Sequence, residues 1–280
     1  MKIVRRVVIR FFKERFFDQA AQTAYYLLVS ILPFFIFTFS LLSIFKVDEE
    51  MLLNLLEPFT PVDAFIIIER NLHFILNVNQ GKIVYVSLIG AFWVSSMAVQ
   101  SLARSLDLAN GRKRRYSFWR GLVRDLGITL LFMLIIPLSV AIPPIDEAFH
   151  RIMIDTDSFQ VWESWVYIRP MIRWGMGSLF LFAFFLLFYK IVPTGRMALK
   201  VVFPGALFTT IGWQLFSLSF GKYVSKVDYT VLYGQLSGII LLVLWFYSTA
   251  VIILFSGLLN AEFGKLYRKG RFYVENTGGR

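Results

Sequence analysis

Cysteine is absent from all 280 residues, histidine occurs only twice, and charged side chains make up 17% of the chain. The first absence excludes disulfides and thiolate metal sites. The second leaves His73 and His150 as the only imidazoles for acid–base chemistry or metal ligation. The third separates the chain from soluble domains, which carry about 25% charge. The position of the missing charge matters more than its amount. Six stretches, 24–45, 83–103, 126–145, 174–189, 201–221 and 229–261, contain no Asp, Glu, Lys or Arg. About 20 helical residues at ~1.5 Å each cross ~30 Å of hydrocarbon. Five of the six stretches reach that length. The fourth is extended to Val192 if Lys190 snorkels past its end. Soluble helices show charge on one face, and these stretches have no such face. What is present agrees: 57% hydrophobic residues, with phenylalanine at 30. The expected fold is all-α, a polytopic membrane protein with six transmembrane helices and short interfacial helices.

Charge also sets an expected orientation. If six spans alternate with both termini cytoplasmic, the inner segments 1–23, 104–125, 190–200 and 260–280 hold 6, 7, 3 and 5 Lys/Arg, or 21 of 29. The outer segments 46–82, 146–173 and 222–228 hold the other 8, together with 12 of the 18 acids. Lys/Arg bias in short loops is the orientation signal that counts. The net charge of +11 therefore reads as basic edges facing anionic lipid headgroups, at Arg5–Lys13, Arg112–Arg115 and Lys265–Arg271. Nucleic acid is not an expected partner. The first apolar run exceeds the roughly 7–15 residues of a secretory signal core and has no Ala-x-Ala site after it, so it reads as a retained span. The expected division is a basic amphipathic segment over 1–18, a six-helix domain over 19–262 and a basic cytoplasmic tail over 263–280.

Along the chain, Val4, Val7, Val8, Phe11 and Phe12 recur at helical spacing within 2–17, which predicts an amphipathic helix in the inner interface. Asp18 is placed to cap the helix that follows, and Pro33 predicts a kink in span one. The long outer segment 46–82 has two weakly helical patches, Met51–Leu56 and Ala64–Leu76, split by Pro58 and Pro61. In 146–173, Trp162, Trp165 and Tyr167 suit an interfacial belt. Span three ends at Pro143-Pro144 and span five opens near Pro204-Gly205. The last run is too long for one crossing, so Tyr229–Leu236 reads as a re-entrant or interfacial lead-in around Gly234. Gly205/Thr209 and Gly257/Ala261, each four apart, fit close helix packing in lipid.

Several residues form a recurring set. Ala20-Ala21 leads to Tyr25-Tyr26, Ser30 and Pro33. Pro193, Arg196, Pro204-Gly205, Trp213, Phe220 and Tyr223 follow, then Tyr233-Gly234, Trp245, Tyr247, Gly257 and Asn260. In combination this resembles the YihY/BrkB family of bacterial inner-membrane proteins. The resemblance implies a six-helix inner-membrane protein. Members of that family have carried the label ribonuclease BN, some are linked to virulence and serum resistance, and others to lipid or lipopolysaccharide export. This chain has Asp107 where members often have Asn. It has Leu259 where many have Glu, leaving Glu262 as the carboxylate of that region.

Nuclease chemistry needs clustered carboxylates with metals, or a histidine pair. The expected inner segments offer only Glu14, Asp18, Asp107, Asp125, Glu262 and Glu275, scattered at span ends, and both histidines fall on the outer side. No zinc-ligand spacing, nucleophile motif or phosphate-cradling loop is present. No enzyme activity and no cofactor are expected. Ionisable groups at mid-membrane mark ion paths, and the span centres have none. What they have is neutral and polar. Tyr26, Ser30, Ser96, Gln100, Thr210, Gln214, Tyr233, Tyr247 and Asn260 are the candidates for a polar cavity that admits a lipid or other amphiphile. Interhelical hydrogen bonding is the other reading of each. Arg104, Asp107 and Arg124 are candidate headgroup contacts, against the simpler reading of pairs between sequence neighbours such as Arg124 and Asp125.

Overall fold

A computed structural model describes residues 2–44, 81–112, 118–138, 159–195, 197–224, 226 and 234–277. Its elements are α1 (Lys2–Lys13), α2 (Phe16–Ile44), α3 (Gly81–Ala109), α4 (Phe118–Leu138), α5 (Phe159–Ile191), α6 (Leu199–Val224) and α7 (Ser237–Thr277), the last preceded by one 3₁₀ turn, Gly234–Leu236. The described residues contain helix and no strand. Three stretches of them are long and apolar enough to cross a bilayer: Trp174–Ile191, Leu199–Val224 and Ser237–Tyr267. The protein is an all-α, polytopic membrane protein. The patches at Met51–Leu56 and Ala64–Leu76, the Pro143-Pro144 end, Tyr233 and both histidines lie outside the described residues.

The helices are apolar on both faces, as lipid requires. On α6, Val201, Val202, Gly205, Ala206, Thr209 and Thr210 are buried. On its other side Phe203, Leu207, Ile211, Leu215 and Leu218 are exposed at roughly one-turn spacing. Such a stripe would be an aggregation hazard in water, whereas acyl chains cover it without penalty. α7 changes along its length, with Ile239, Ile240, Val243 and Leu244 near its start exposed and Ala250, Ile253, Leu254 and Leu258 further on buried.

Several boundaries differ from the sequence expectation. α1 ends at Lys13, and Glu14-Arg15 form a turn in which Arg15 has φ +56°. α2 therefore begins at Phe16, so Asp18 lies inside its first turn, where a negative charge complements the helix dipole, rather than at the cap. α5 is already helical from Phe159, fifteen residues before its apolar stretch begins at Trp174. α6 starts at Leu199, which places Pro204 inside the helix. α7 continues through the expected tail to Thr277. Gly234, with φ +55°, sits in the turn that starts the last helix.

The chain divides into two compact units, Met1–Leu28 with Met97–Ile128 and Ser178–Arg280, and Val29–Ser96 with Thr129–Gly177. In the first unit α6 and α7 pack against each other, and α1 packs along α7. Its core includes Val7, Phe11 and Phe16, Leu102 and Leu106 of α3, Phe188 and Tyr189 of α5, Val202 and Ala206, and Leu254 and Leu258. In the second unit Ser96, Thr129, Phe132 and Met133 are buried.

Candidate functional site

Within the first unit, polar side chains gather in two places. The first is the neutral interior of α5, α6 and α7. Pro204 lacks an amide hydrogen, so the helix loses one ladder bond there. The next residue, Gly205, donates its backbone N–H to Asn260 Oδ1 at 2.8 Å, across to α7. Only glycine permits this approach: a Cβ at 205 would lie 2.3 Å from Asn260 Oδ1 and 2.4 Å from Nδ2. One turn on, Thr209 Oγ1 donates to the Gly205 carbonyl at 2.8 Å and lies 2.7 Å from the Tyr189 hydroxyl. That hydroxyl donates to the Ile253 carbonyl at 2.8 Å. Gly257 makes a similar close approach, since a Cβ there would lie 2.2 Å from Leu106 Cδ2. The four-residue glycine spacings are thus contact points between helices. Thr23 and Ser101 hydroxyls meet at 2.9 Å and tie α2 to α3.

The second place is the charged edge, where these helices end. Arg10 of α1 is 2.9 Å from Glu262 of α7 and 2.7 Å from Glu14, and it donates to the Ala109 carbonyl at the end of α3. Glu262 also takes Lys265 at 2.6 Å. Burial by itself would lower the Arg10 pKa, but its hydrogen bonds and proximity to Glu14 and then Glu262 outweigh that and raise it. A few residues away, the link between α5 and α6 is held from three sides. Asp107 accepts the Thr194 amide and hydroxyl. Arg112 donates to the Thr194 carbonyl at 2.6 Å. Arg124 donates to the carbonyls of Ile191, Val192 and Pro193 at 2.7, 2.9 and 2.9 Å, where a cation also complements the α5 dipole. Gly195, at φ +105°, leaves room for Arg112, whose Nη1 would be 3.0 Å from a Cβ.

The sequence candidates fall into this arrangement unequally. Asn260 bridges α7 and α6, and Gln214 Nε2 donates to Ser178 Oγ of α5 at 2.8 Å. Thr210 is buried and donates back to the Ala206 carbonyl at 2.9 Å. Tyr26, Gln100 and Tyr247 are half-buried. Ser30 and Ser96 are buried and belong to the second unit, where Ser96 donates to the Trp93 carbonyl. Tyr233 lies outside the described residues. Of the headgroup candidates Arg104 is exposed, while Asp107 and Arg124 grip the α5–α6 link. Arg124 is also 3.6 Å from its neighbour Asp125. Sequence reasoning did not single out Arg10, Arg112, Tyr189 or Thr194. Tyr189 carried a signal, as the one hydroxylated aromatic ending an otherwise apolar span. Arg112 was hidden in the run Arg112–Arg115, and nothing local marked Arg10 as the partner of a residue 252 positions away. Among the described residues no group of three or more His, Asp or Glu is placed to share a metal ion.

Apolar helices on two faces, neutral polar bonds inside and ion pairs at the helix ends define a multi-pass membrane protein. The family profile described as "Virulence factor BrkB" matches residues 7–272, and the chain belongs to that family. It is 31% identical over 250 residues to a Bacillus subtilis protein named "Putative ribonuclease-like protein YfkH", covering 87% of this chain and 88% of that one. A UPF0761 membrane protein of Alteromonas mediterranea is 22% identical over 253 residues, 89% of this chain and 83% of that one. A UPF0761 membrane protein of Xanthomonas campestris is 25% identical over 254 residues, covering 88% of this chain but 56% of that one. No solved structure matches the chain.

Proposed function

We propose that the protein lies in the bacterial inner membrane with both termini cytoplasmic and handles or moves a lipid or other amphiphile. The observation that carries this reading is the separation of polar character. Trp174–Tyr189, Val201–Gly221 and Ser237–Ala261 contain no ionisable Asp, Glu, Lys or Arg, yet the helices carry Tyr26, Gln100, Gln214 and Tyr247 at half-buried positions. A neutral polar lining suits a headgroup and an apolar flank suits its tails, whereas an ion or proton relay would need charge at mid-membrane. Among the acids whose side chains are described, Glu14 and Glu262 pair with Arg10, Asp18 with Arg15, and Asp107 holds Thr194. Purified protein in liposomes should accelerate the flipping of headgroup-labelled lipids, and Gln100→Leu with Gln214→Leu should slow it. Rates equal to those of protein-free liposomes across neutral, anionic and glycosylated lipids would overturn the reading.

The close seats of Gly205 on Asn260 and of Gly257 on Leu106 favour a second reading, a non-catalytic scaffold that supports envelope integrity and, through it, virulence or serum resistance. A scaffold predicts that deletion changes the complement of co-purifying envelope proteins while lipid distribution between leaflets stays the same.

A further inference from the structure

The first helix has more apolar surface than the protein covers. At about 100° per residue, Val7 and Phe11 share one continuous arc of roughly 140° with Val4, Val8 and Phe12. Val7 and Phe11 are buried, and Phe11 meets Phe255 of α7 with ring centroids 6.0 Å apart. Val4, Val8 and Phe12 are 55%, 39% and 64% exposed. Arg10 fixes this rotation of the helix by pairing with Glu262 and binding the Ala109 carbonyl, so the uncovered half cannot simply roll inward. Past Phe12 around the helix come Arg5 at about 20°, Ile9 at about 60°, and the long side chains of Lys13 and Arg6 at about 100° and 120°, all exposed. The two acids nearby are already paired, Glu14 with Arg10 and Asp18 with Arg15. α1 also runs straight into α2 after only Glu14 and Arg15, and packs where α7 leaves its apolar run at Glu262, so it lies at the level of a bilayer surface.

We propose that the uncovered half of α1 is a docking surface for an anionic leaflet, with Val4, Val8 and Phe12 among the acyl chains and Arg5, Arg6 and Lys13 on the phosphates. Charge decides the occupant. A second copy of the same face would set these cations against their own counterparts, whereas an anionic bilayer attracts each of them and covers the apolar row at the same time. The surface is independent of whether the protein transports anything.

The absence of cysteine makes the test clean. Phe12→Cys and Val8→Cys, both at exposed positions, are each labelled with an environment-sensitive fluorophore in the full-length protein. The labelled protein is placed in vesicles of phosphatidylcholine alone or with phosphatidylglycerol added. The expected result is blue-shifted emission, quenched by lipids carrying a shallow nitroxide, and stronger when phosphatidylglycerol is present. Replacing Arg5, Arg6 and Lys13 by Gln should abolish the phosphatidylglycerol dependence, each cation being worth about fivefold in favour of the anionic surface. Unchanged elution of that variant in detergent confirms its fold. Water-like emission in both vesicles would overturn the proposal. So would shielding without nitroxide quenching, accompanied by disulfide cross-linking between two unlabelled copies of the Phe12→Cys variant, because the face would then belong to a dimer.

Discussion

Replacing Gly205 by alanine tests the interior most sharply, because the structure fixes both the damage and its remedy. The added Cβ would fall within 2.5 Å of three atoms of the Asn260 side chain. Asn260 must leave, and the Gly205 amide beside Pro204 then loses its acceptor. Overpacking of this kind costs about 1–3 kcal/mol. The lost interhelical hydrogen bond adds about 0.6 kcal/mol, the average measured in a membrane bundle. Gly205→Ala should therefore cost roughly 2–3 kcal/mol. Asn260→Ala alone should cost about 1 kcal/mol, since it removes the bond but also removes a buried Nδ2 that has no partner. The double variant is the decisive case. With Asn260 truncated the new Cβ has space, so the pair should be more stable than Gly205→Ala alone by about 1 kcal/mol. Unfolding in mixed micelles of increasing SDS fraction, followed by tryptophan fluorescence, measures all three. Simple additivity of the two single changes would refute the contact, since residues that share one site couple and distant ones do not.

Other changes probe the charged edge. Arg10→Gln leaves Glu262 buried with Lys265 as its remaining partner and removes a donor from the Ala109 carbonyl. It should cost roughly 2–3 kcal/mol, below the full penalty for a buried charge left alone. Limited proteolysis should then cut at Arg15, and an uncut α1 in the variant would contradict Arg10 holding α1 on α7. Asp107→Asn weakens two charge-assisted bonds to Thr194 and should lower stability by about 1.5–3 kcal/mol, with Thr194→Ala adding less on top than it costs alone because both changes act on the hydroxyl bond. Full additivity of these two in a thermal unfolding series would argue that Asp107 acts elsewhere. Tyr189→Phe removes one hydroxyl that bridges α5 to both α6 and α7, and a small loss of about 0.6–1.5 kcal/mol is expected in the same unfolding assay.

The fold was legible where its physics is local. Charge-free runs predict helices because lipid leaves backbone groups no other partners, and 201–221 and most of 229–261 fall on helices. Helix ends were misjudged where charge and helicity part company. Lys265–Arg271 ends a hydropathy run but includes good helix formers, so α7 continues. Glu163, Arg169 and Arg173 similarly hide the first turns of α5. Small residues at four-residue spacing, Gly205/Thr209 and Gly257/Ala261, announced close contact, though not which side chain would fill the space. The charged edge was opaque for a different reason. Asp107 reads locally as a partner for Arg104, three residues away, but it binds Thr194, 87 positions distant. Arg10 and Glu262 sit near opposite ends of the chain. Pairings set by how helices assemble leave no trace in spacing.

Whether the chain spans a bilayer with its basic edges inside can be measured directly, because the sequence has no cysteine of its own. Single cysteines at Lys13, Lys200 and Lys226, all exposed, can be challenged with a membrane-impermeant maleimide in intact spheroplasts. Lys226→Cys should be labelled at once, and Lys13→Cys and Lys200→Cys only after permeabilisation. Labelling of Lys13→Cys or Lys200→Cys in sealed spheroplasts, with Lys226→Cys protected, would contradict this orientation.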